Sequence, residues 1–408
     1  MRRRHLLALA PAAALAACTA QDPSDPSPGT GEEPSDGGGT STGEPADPSD
    51  GGSADPSDGG AEGTTEPPSA AESLLEELSP RELAGQLVLV GIAAGTEIPP
   101  EVLQEHHAGG IFLLQVWESA AQVEQITRTA RELSSSVLPP LLAVDQEGGQ
   151  VRMLRGDAAR ETPSAEELGA QGPDAVTEAY TSIGEDLATR GIQLALSPVA
   201  DVVDPDLGDA NEPVGGLDRG FGTDPEQVAD CVAAAVEALD AQGIGATLKH
   251  FPGLGRVEQN TDFSAEGIED PTTGPDDPFL GSFRAGIDAG ARLVMMSSAI
   301  YPRIEPEVPA MFSPAAIEEL LRGELGFEGL VVTDDIGAAK AVADVPVPER
   351  ATRLLEAGGD AVLTADPTLT GQLVDAIEEW AGRGEEQERR VRESAGRMLA
   401  LKESLGLL

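Results

Sequence analysis

From Glu72 onward, short and nearly continuous apolar runs alternate with longer stretches in which apolar residues recur every three or four positions. The short runs, bounded by turn residues, read as strands buried on both faces, and the longer pattern reads as amphipathic helix. Strands are expected over 86–92, 110–114, 141–144, 194–199, 245–248, 293–296, 330–333 and 361–364. Helices are expected over 99–106, 120–133, 174–190, 225–241, 277–289, 314–321, 348–357 and 369–380, with a last helix over 387–404 packed outside the barrel. Regular alternation of buried strand and helix implies a parallel sheet covered by helices. Eight such units in one domain favour a single (β/α)8 barrel of the TIM type, with an open doubly wound sheet as the alternative.

The pattern is absent ahead of this domain. Residues 1–17 begin with Arg2, Arg3 and Arg4, continue as an apolar run, and end in Leu15-Ala16-Ala17 before Cys18. That is an export signal too short to remain as a spanning helix, and small residues before a cysteine resemble the lipobox of bacterial lipoproteins, which are cleaved before the cysteine and lipidated on it. An ordinary signal peptide with an incidental cysteine is the plainer reading, and the arginines also fit a twin-arginine signal. Residues 18–71 form an expected linker: between Thr19 and Ala70 there is no Leu, Ile, Val, Met or aromatic residue, and PSDGG recurs at Pro34, Pro48 and Pro56. Such a segment has nothing to build a core from and is expected to stay solvated, tethering the 72–408 domain to the outer face of a membrane. Charge supports a lipid anchor over a basic patch. With 26 Lys+Arg against 72 Asp+Glu, a net charge of -46 excludes nucleic acid and anionic headgroups as natural partners.

Barrel enzymes carry their chemistry at the C-terminal ends of the strands. Asp145-Gln146-Glu147-Gly148-Gly149 follows the third run, Asp201 and Asp204 the fourth, Lys249 and His250 the fifth, Ser297 and Ser298 the sixth, and Asp334 and Asp335 the seventh. The fifth is the densest, because KHFPGLGRVEQNTDFS over 249–264 joins a cation, an imidazole and a Pro-Gly turn to a polar loop. Charged residues finishing a strand at the surface are the plainer reading, but a surface has no need of that combination. Trp117, after the second strand, can stack on a ligand ring or simply cover core. Cys231 lies in a helical run and reads as packing. His106 and His107 fit a helix end, and no metal-ligand spacing is present.

These motifs resemble glycoside hydrolase family 3, in its bacterial β-N-acetylhexosaminidase branch. KHFPGLG at 249–255 is similar to the family's KHFPGHG, DQEGG at 145–149 to its DQEGG segment, LSPVADV at 196–202 to its fourth strand, DRGFG at 218–222 to D-R-S-F-G, and GLVVTDD at 329–335 to its nucleophile strand. The resemblance implies a cofactor-free retaining hydrolase that removes terminal β-linked N-acetylhexosamine, chiefly GlcNAc, from cell-wall or muropeptide glycans. It implies Asp334 as nucleophile, with Asp335 better suited to capping, and Asp145, Arg219, Lys249 and His250 as hydrogen-bonding partners of the sugar. An arginine contact is expected from Arg152, with Arg155 as the alternative.

Two departures concern the proton donor. Leu254 stands where the branch has a second His, and its Asp-x-His pair is replaced by Asn260 and Asp262. A carboxylic acid can donate a proton once burial or like charge raises its pKa, so Asp262 is the expected acid/base, oriented by Asn260, with Glu258 as the alternative. A catalytically reduced barrel that binds glycan is a second reading. An aldolase using Lys249 as Schiff base is a third.

Overall fold

Eight parallel strands close on themselves in the computed structural model, which describes residues 68–408. They are β1 (Val88–Ala93), β2 (Gly110–Leu114), β3 (Leu141–Val144), β4 (Leu194–Ala195), β5 (Gly245–Phe251), β6 (Leu293–Met296), β7 (Leu330–Asp335) and β8 (Ala361–Thr364). Each strand pairs with its neighbours in sequence, and β1 closes the ring against β8 with Val88 opposite Val362. Closure removes the sheet edges on which another chain could pair. The expected barrel is therefore the observed one. The segment 1–17 expected to be an export signal, Cys18, and the expected linker up to residue 67 lie outside the described residues. Helix Ala70–Glu77 begins just ahead of the expected boundary at 72.

Two apolar layers hold the ring. Inside, Leu89, Phe112, Leu141, Leu194, Leu293, Leu330 and Leu363 interlock around the axis. Outside, the strands' opposite faces meet the helices in one continuous cluster that includes Val123, Ile183, Val232, Ile317, Leu354 and Leu373. Fully burying each such side chain contributes about 1.5–3 kcal/mol, so the barrel rests on many small increments of this kind.

The last helix, Glu385–Ser404, departs from expectation. Its Met398 and Leu401 belong to the interior cluster, so it closes the N-terminal end of the barrel instead of lying outside it. An amphipathic stripe says that a helix buries one face; it does not say which surface receives that face.

Boundaries shifted where local signals competed. Gln86 ends helix Pro80–Gln86, and β1 starts at Val88. The expected strand over 194–199 leaves the ladder after Ala195, whereas β5 continues through Lys249 and His250 to Phe251. The helix expected near 314–321 is a π-helix, Ala315–Glu324. Helices Ala70–Glu77, Pro80–Gln86 and Ala165–Gln171 were not anticipated, yet each opens with a Ser-x-x-Glu capping box, from Ser69, Ser79 and Ser164, that the sequence displays.

Candidate active site

Strict alternation along β5 would send Lys249 and His250 to opposite faces. The ladder with β6 shifts register between Leu248 and Phe251, and both side chains find charged partners at the C-terminal mouth. Lys249 Nζ lies 2.6 Å from Asp145 Oδ1 and 2.6 Å from Glu147 Oε1. Arg219 donates to both oxygens of Glu147, at 2.9 Å each, and its Nη2 lies 3.5 Å from His250 Nε2. On the other side of the imidazole, His250 Nδ1 is 2.8 Å from Asp201 Oδ2. Asp201 also accepts from the backbone N–H groups of His250 and Leu254.

Asp145, Lys249, Glu147, Arg219, His250 and Asp201 thus form one connected chain of charged and polar groups. Burial works to raise the Glu147 pKa, but Arg219 and Lys249 outweigh it and hold the carboxyl at about 2. Burial likewise works to lower Lys249, and Asp145 and Glu147 reverse it, so its pKa is raised. Lys249 is therefore a fixed ammonium, unlike the neutral amine that Schiff-base chemistry requires. An ammonium has three donors, and two carboxylates occupy two of them. Asp145 and Arg219, each partly exposed, present their remaining polar edges to the mouth. The arrangement matches dense hydroxyl recognition. Glu147 and Asp201 had no assigned role in the sequence reading, although both stood on the acidic rim; each is the buried partner that orients a neighbour.

Beyond β5 the chain turns on glycines. Gly253 has φ +135°, and a Cβ on Gly255 would meet the Val202 carbonyl oxygen at 1.7 Å. Leu254 is buried in the outer core, an apolar place for the residue that departs from the family signature. Arg256 then ties the foot of the loop: it donates to Thr273 at 2.7 Å and Asp277 at 2.9 Å, and stacks 3.6 Å from the Phe279 ring centroid.

The loop held in this way carries Asp262 toward Asp334. Its carbonyls at Thr261 and Asp262 accept from the N–H groups of Ala341 and Lys340, on the segment that follows β7. Asp262 is exposed at the mouth, yet the surrounding rim partly strips its carboxyl of water, and Asp334 and Asp335 add like charge. Arg219 and His250 oppose them, and the balance pushes Asp262 up to about 7. Asn260 does not orient this carboxyl as expected. Its Oδ1 accepts from the backbone N–H of Asp262 at 2.9 Å, shaping the turn instead. Glu258 is exposed, and its carboxylate has no hydrogen-bond partner among the described residues.

The two aspartates at the end of β7 differ in their partners, and Asp335 closes a turn instead of capping a helix. Asp335 accepts from the N–H groups of Gly337, Ala338 and Ala365, which commits it to the backbone. Asp334 is half-buried and accepts only from the N–H of Asp335, at 2.8 Å, leaving carboxylate oxygen free to face a substrate. Arg152 is engaged locally, donating to the Gly149 carbonyl at 2.9 Å and lying 3.3 Å from Glu161. No hydrogen bond joins it to the charged chain, and Arg155 likewise serves the backbone of its own hairpin. Trp117 is only 3% exposed and is core, not a stacking platform. Among the described residues no group of His, Cys, Asp and Glu is arranged to hold a metal.

Comparison with known proteins gives this geometry its context. The profile of the Glycosyl hydrolase family 3 N terminal domain matches residues 80–401. A β-hexosaminidase of Xanthomonas oryzae is 36% identical over 303 residues, covering 72% of this chain and 87% of that protein. The crystal structure of a β-N-acetylhexosaminidase from Beutenbergia cavernae superposes with a TM-score of 0.76 at 41% identity, over 80% of this chain and 99% of that one. A family 3 β-N-acetylglucosaminidase from a Paenibacillus species gives a TM-score of 0.72 at 30% identity, over 81% and 63% of the two chains. With a profile match spanning nearly the whole barrel and relatives aligned over most of their own length, the chain belongs to glycosyl hydrolase family 3.

Proposed function

We propose that the barrel hydrolyses terminal non-reducing β-linked N-acetylhexosamine, GlcNAc in particular, with retention of configuration, Asp334 acting as nucleophile and Asp262 as acid/base. The observation that carries this reading is the pairing of Asp334, which keeps carboxylate oxygen free at the mouth, with Asp262, whose carboxyl is pushed up to about 7 beside it. Asp334 attacks the anomeric carbon while Asp262, protonated, gives its proton to the departing oxygen; water then displaces Asp334 from the glycosyl-enzyme as Asp262 takes the water's proton. Retaining enzymes of this kind hold their two carboxyls about 5 Å apart, close enough for each to act on the same anomeric centre. Asp145, Lys249, Arg219 and His250 grip the sugar's hydroxyls and acetamido group. The proximity of Asp262 to Asp334 favours catalysis over a barrel that only binds glycan.

The purified chain, incubated with a panel of aryl β-glycosides, is expected to release aglycone from the N-acetylglucosaminide alone. Release from none of them, with binding of the sugar retained, would favour the glycan-binding reading. The natural substrate we assign to cell-wall glycan fragments, because residues 1–18 read as a lipoprotein export signal that delivers the barrel to the extracytoplasmic face of the membrane. Cys18→Ala is expected to move the protein out of the detergent phase in partitioning experiments, and equal retention would remove the lipid anchor from this account.

A further inference from the structure

The chain contains two Trp, two Tyr and eight Phe, all of them among the described residues. Ten are buried, and Phe279 is half-covered beneath Arg256. The remaining one, Phe263, is 64% exposed. It directly follows Asp262, in a turn pinned by backbone hydrogen bonds from Phe263 and Ser264 to the Asn260 carbonyl at 3.1 and 2.9 Å. An aromatic ring left in water on a well-anchored turn, in a chain that buries or covers every other aromatic, is an unpartnered surface beside the reacting groups.

The lysines show the same selectivity. Of three, Lys249 and Lys402 are buried and Lys340 is exposed. Lys340 sits on the segment after β7, its backbone N–H donating to the Asp262 carbonyl at 3.3 Å, and its ammonium forms no ion pair among the described residues. The only exposed lysine of a chain with net charge -46 therefore flanks the same residue as its only exposed aromatic.

We propose that Phe263 and Lys340 form the leaving-group subsite, with the ring of Phe263 under the apolar face of a second sugar and the ammonium of Lys340 selecting leaving groups that carry a carboxylate. The proposal rests on the hydrolase reading, because it is the proton donor that defines the leaving-group side. Whatever is attached to the oxygen that Asp262 protonates must lie against the residues flanking Asp262. A pyranose presents C–H bonds on one face, which pack on an aromatic ring, and an acid on that sugar needs a cation to offset the repulsion of an acidic protein.

The test compares specificity ratios, each taken as kcat/KM on a larger leaving group over kcat/KM on a smaller one. The ratio of N,N′-diacetylchitobiose to methyl β-N-acetylglucosaminide is expected to fall about tenfold in Phe263→Ala and to recover in Phe263→Tyr, which keeps the ring. The ratio of 3-carboxyphenyl to phenyl β-N-acetylglucosaminide is expected to fall about threefold in Lys340→Gln and to recover in Lys340→Arg. Unchanged ratios overturn the subsite, as does an equal loss on both members of a pair, which marks a disturbed loop. Failure of the wild-type chain to turn over any of these substrates overturns the hydrolase reading beneath it, so the two failures are distinct.

Discussion

At the C-terminal mouth of the barrel, Asp262 and Asp334 repel each other and have few hydrogen bonds to their carboxylates; at the N-terminal end, Asp360 is fully buried just ahead of β8 and has more donors than it has lone pairs to spare. Arg322 donates to Asp360 at 2.7 Å, Arg397 at 2.8 Å, Arg390 at 3.2 Å, Ser394 at 2.9 Å and the backbone N–H of Val331 at 2.9 Å. Burial works to raise the Asp360 pKa, and the three guanidiniums outweigh it, so the carboxyl is held below its usual value. Arg390, Ser394 and Arg397 lie on the closing helix Glu385–Ser404, so this cluster locks that helix under the barrel. The same side chain thus meets opposite treatment at the two ends of one set of strands. At the mouth, where the proposed reaction takes place, the fold withholds donors and supplies like charge; at the base, where the carboxylate holds a helix, the fold surrounds it with cations. The contrast matches the division of barrels into a chemical face and a stability face.

The sharpest way to break the contrast is Asp334→Asn. Removing the proposed nucleophile is expected to lower hydrolysis by roughly 10⁴-fold or more on every substrate, whatever the leaving group. Circular dichroism and thermal melting should show a folded protein, since the change removes like charge from the mouth. A melting transition lost along with activity would mean that Asp334 is structural.

Asp262→Asn should separate the two chemical steps. Loss is expected to be about 10²–10⁴-fold on sugar leaving groups and small for formation of the glycosyl-enzyme from nitrophenyl glycosides, with azide restoring turnover and giving a β-glycosyl azide. Because glycosylation needs the protonated acid, kcat/KM in the wild type should fall as pH rises through about 7. That alkaline limb should be absent from the variant. Without leaving-group dependence or azide rescue, the role passes to Glu258.

At the other end, Asp360→Asn leaves three guanidiniums without their counter-charge and is expected to destabilise the fold by about 3–5 kcal/mol, read as a lower denaturant midpoint. The kcat of the folded fraction should stay near that of the wild type, and a large fall in kcat would show that the base communicates with the mouth. The native clamp itself should hold at every pH above the ordinary aspartate value of 3.8 and weaken only below it, because its folded pKa is depressed.

The smallest effect concerns a group at the base that lacks such compensation. Lys402 is buried with Gln86 Oε1 as its partner at 2.6 Å, and burial lowers its pKa from 10.5 to about 7. Between those values the unfolded chain binds the proton that the folded chain has released, so this group makes stability rise with pH across that window. Lys402→Met should flatten that rise in melting temperature, and an unchanged pH profile would show that the ammonium remains charged in the fold.

The sequence by itself determined the barrel and most of the mouth. Apolar runs spaced by helices admit few architectures, and strand ends are where barrel chemistry collects, so Asp145, Lys249, His250 and Asp334 were legible from pattern and resemblance. Asp262 was legible as a candidate only, because its pKa depends on neighbours brought from the loop after β4, from β5 and from β7. Tertiary structure alone decided that Glu147 and Asp201 anchor the charged chain, that Asn260 shapes a turn, that Arg152 braces its own hairpin and that Trp117 is core. It also decided that the last helix plugs the barrel. In each case the deciding quantity is a distance between residues far apart in sequence, such as Lys249 to Glu147 at 2.6 Å or Asp360 to Arg397 at 2.8 Å, and local periodicity carries no information about it.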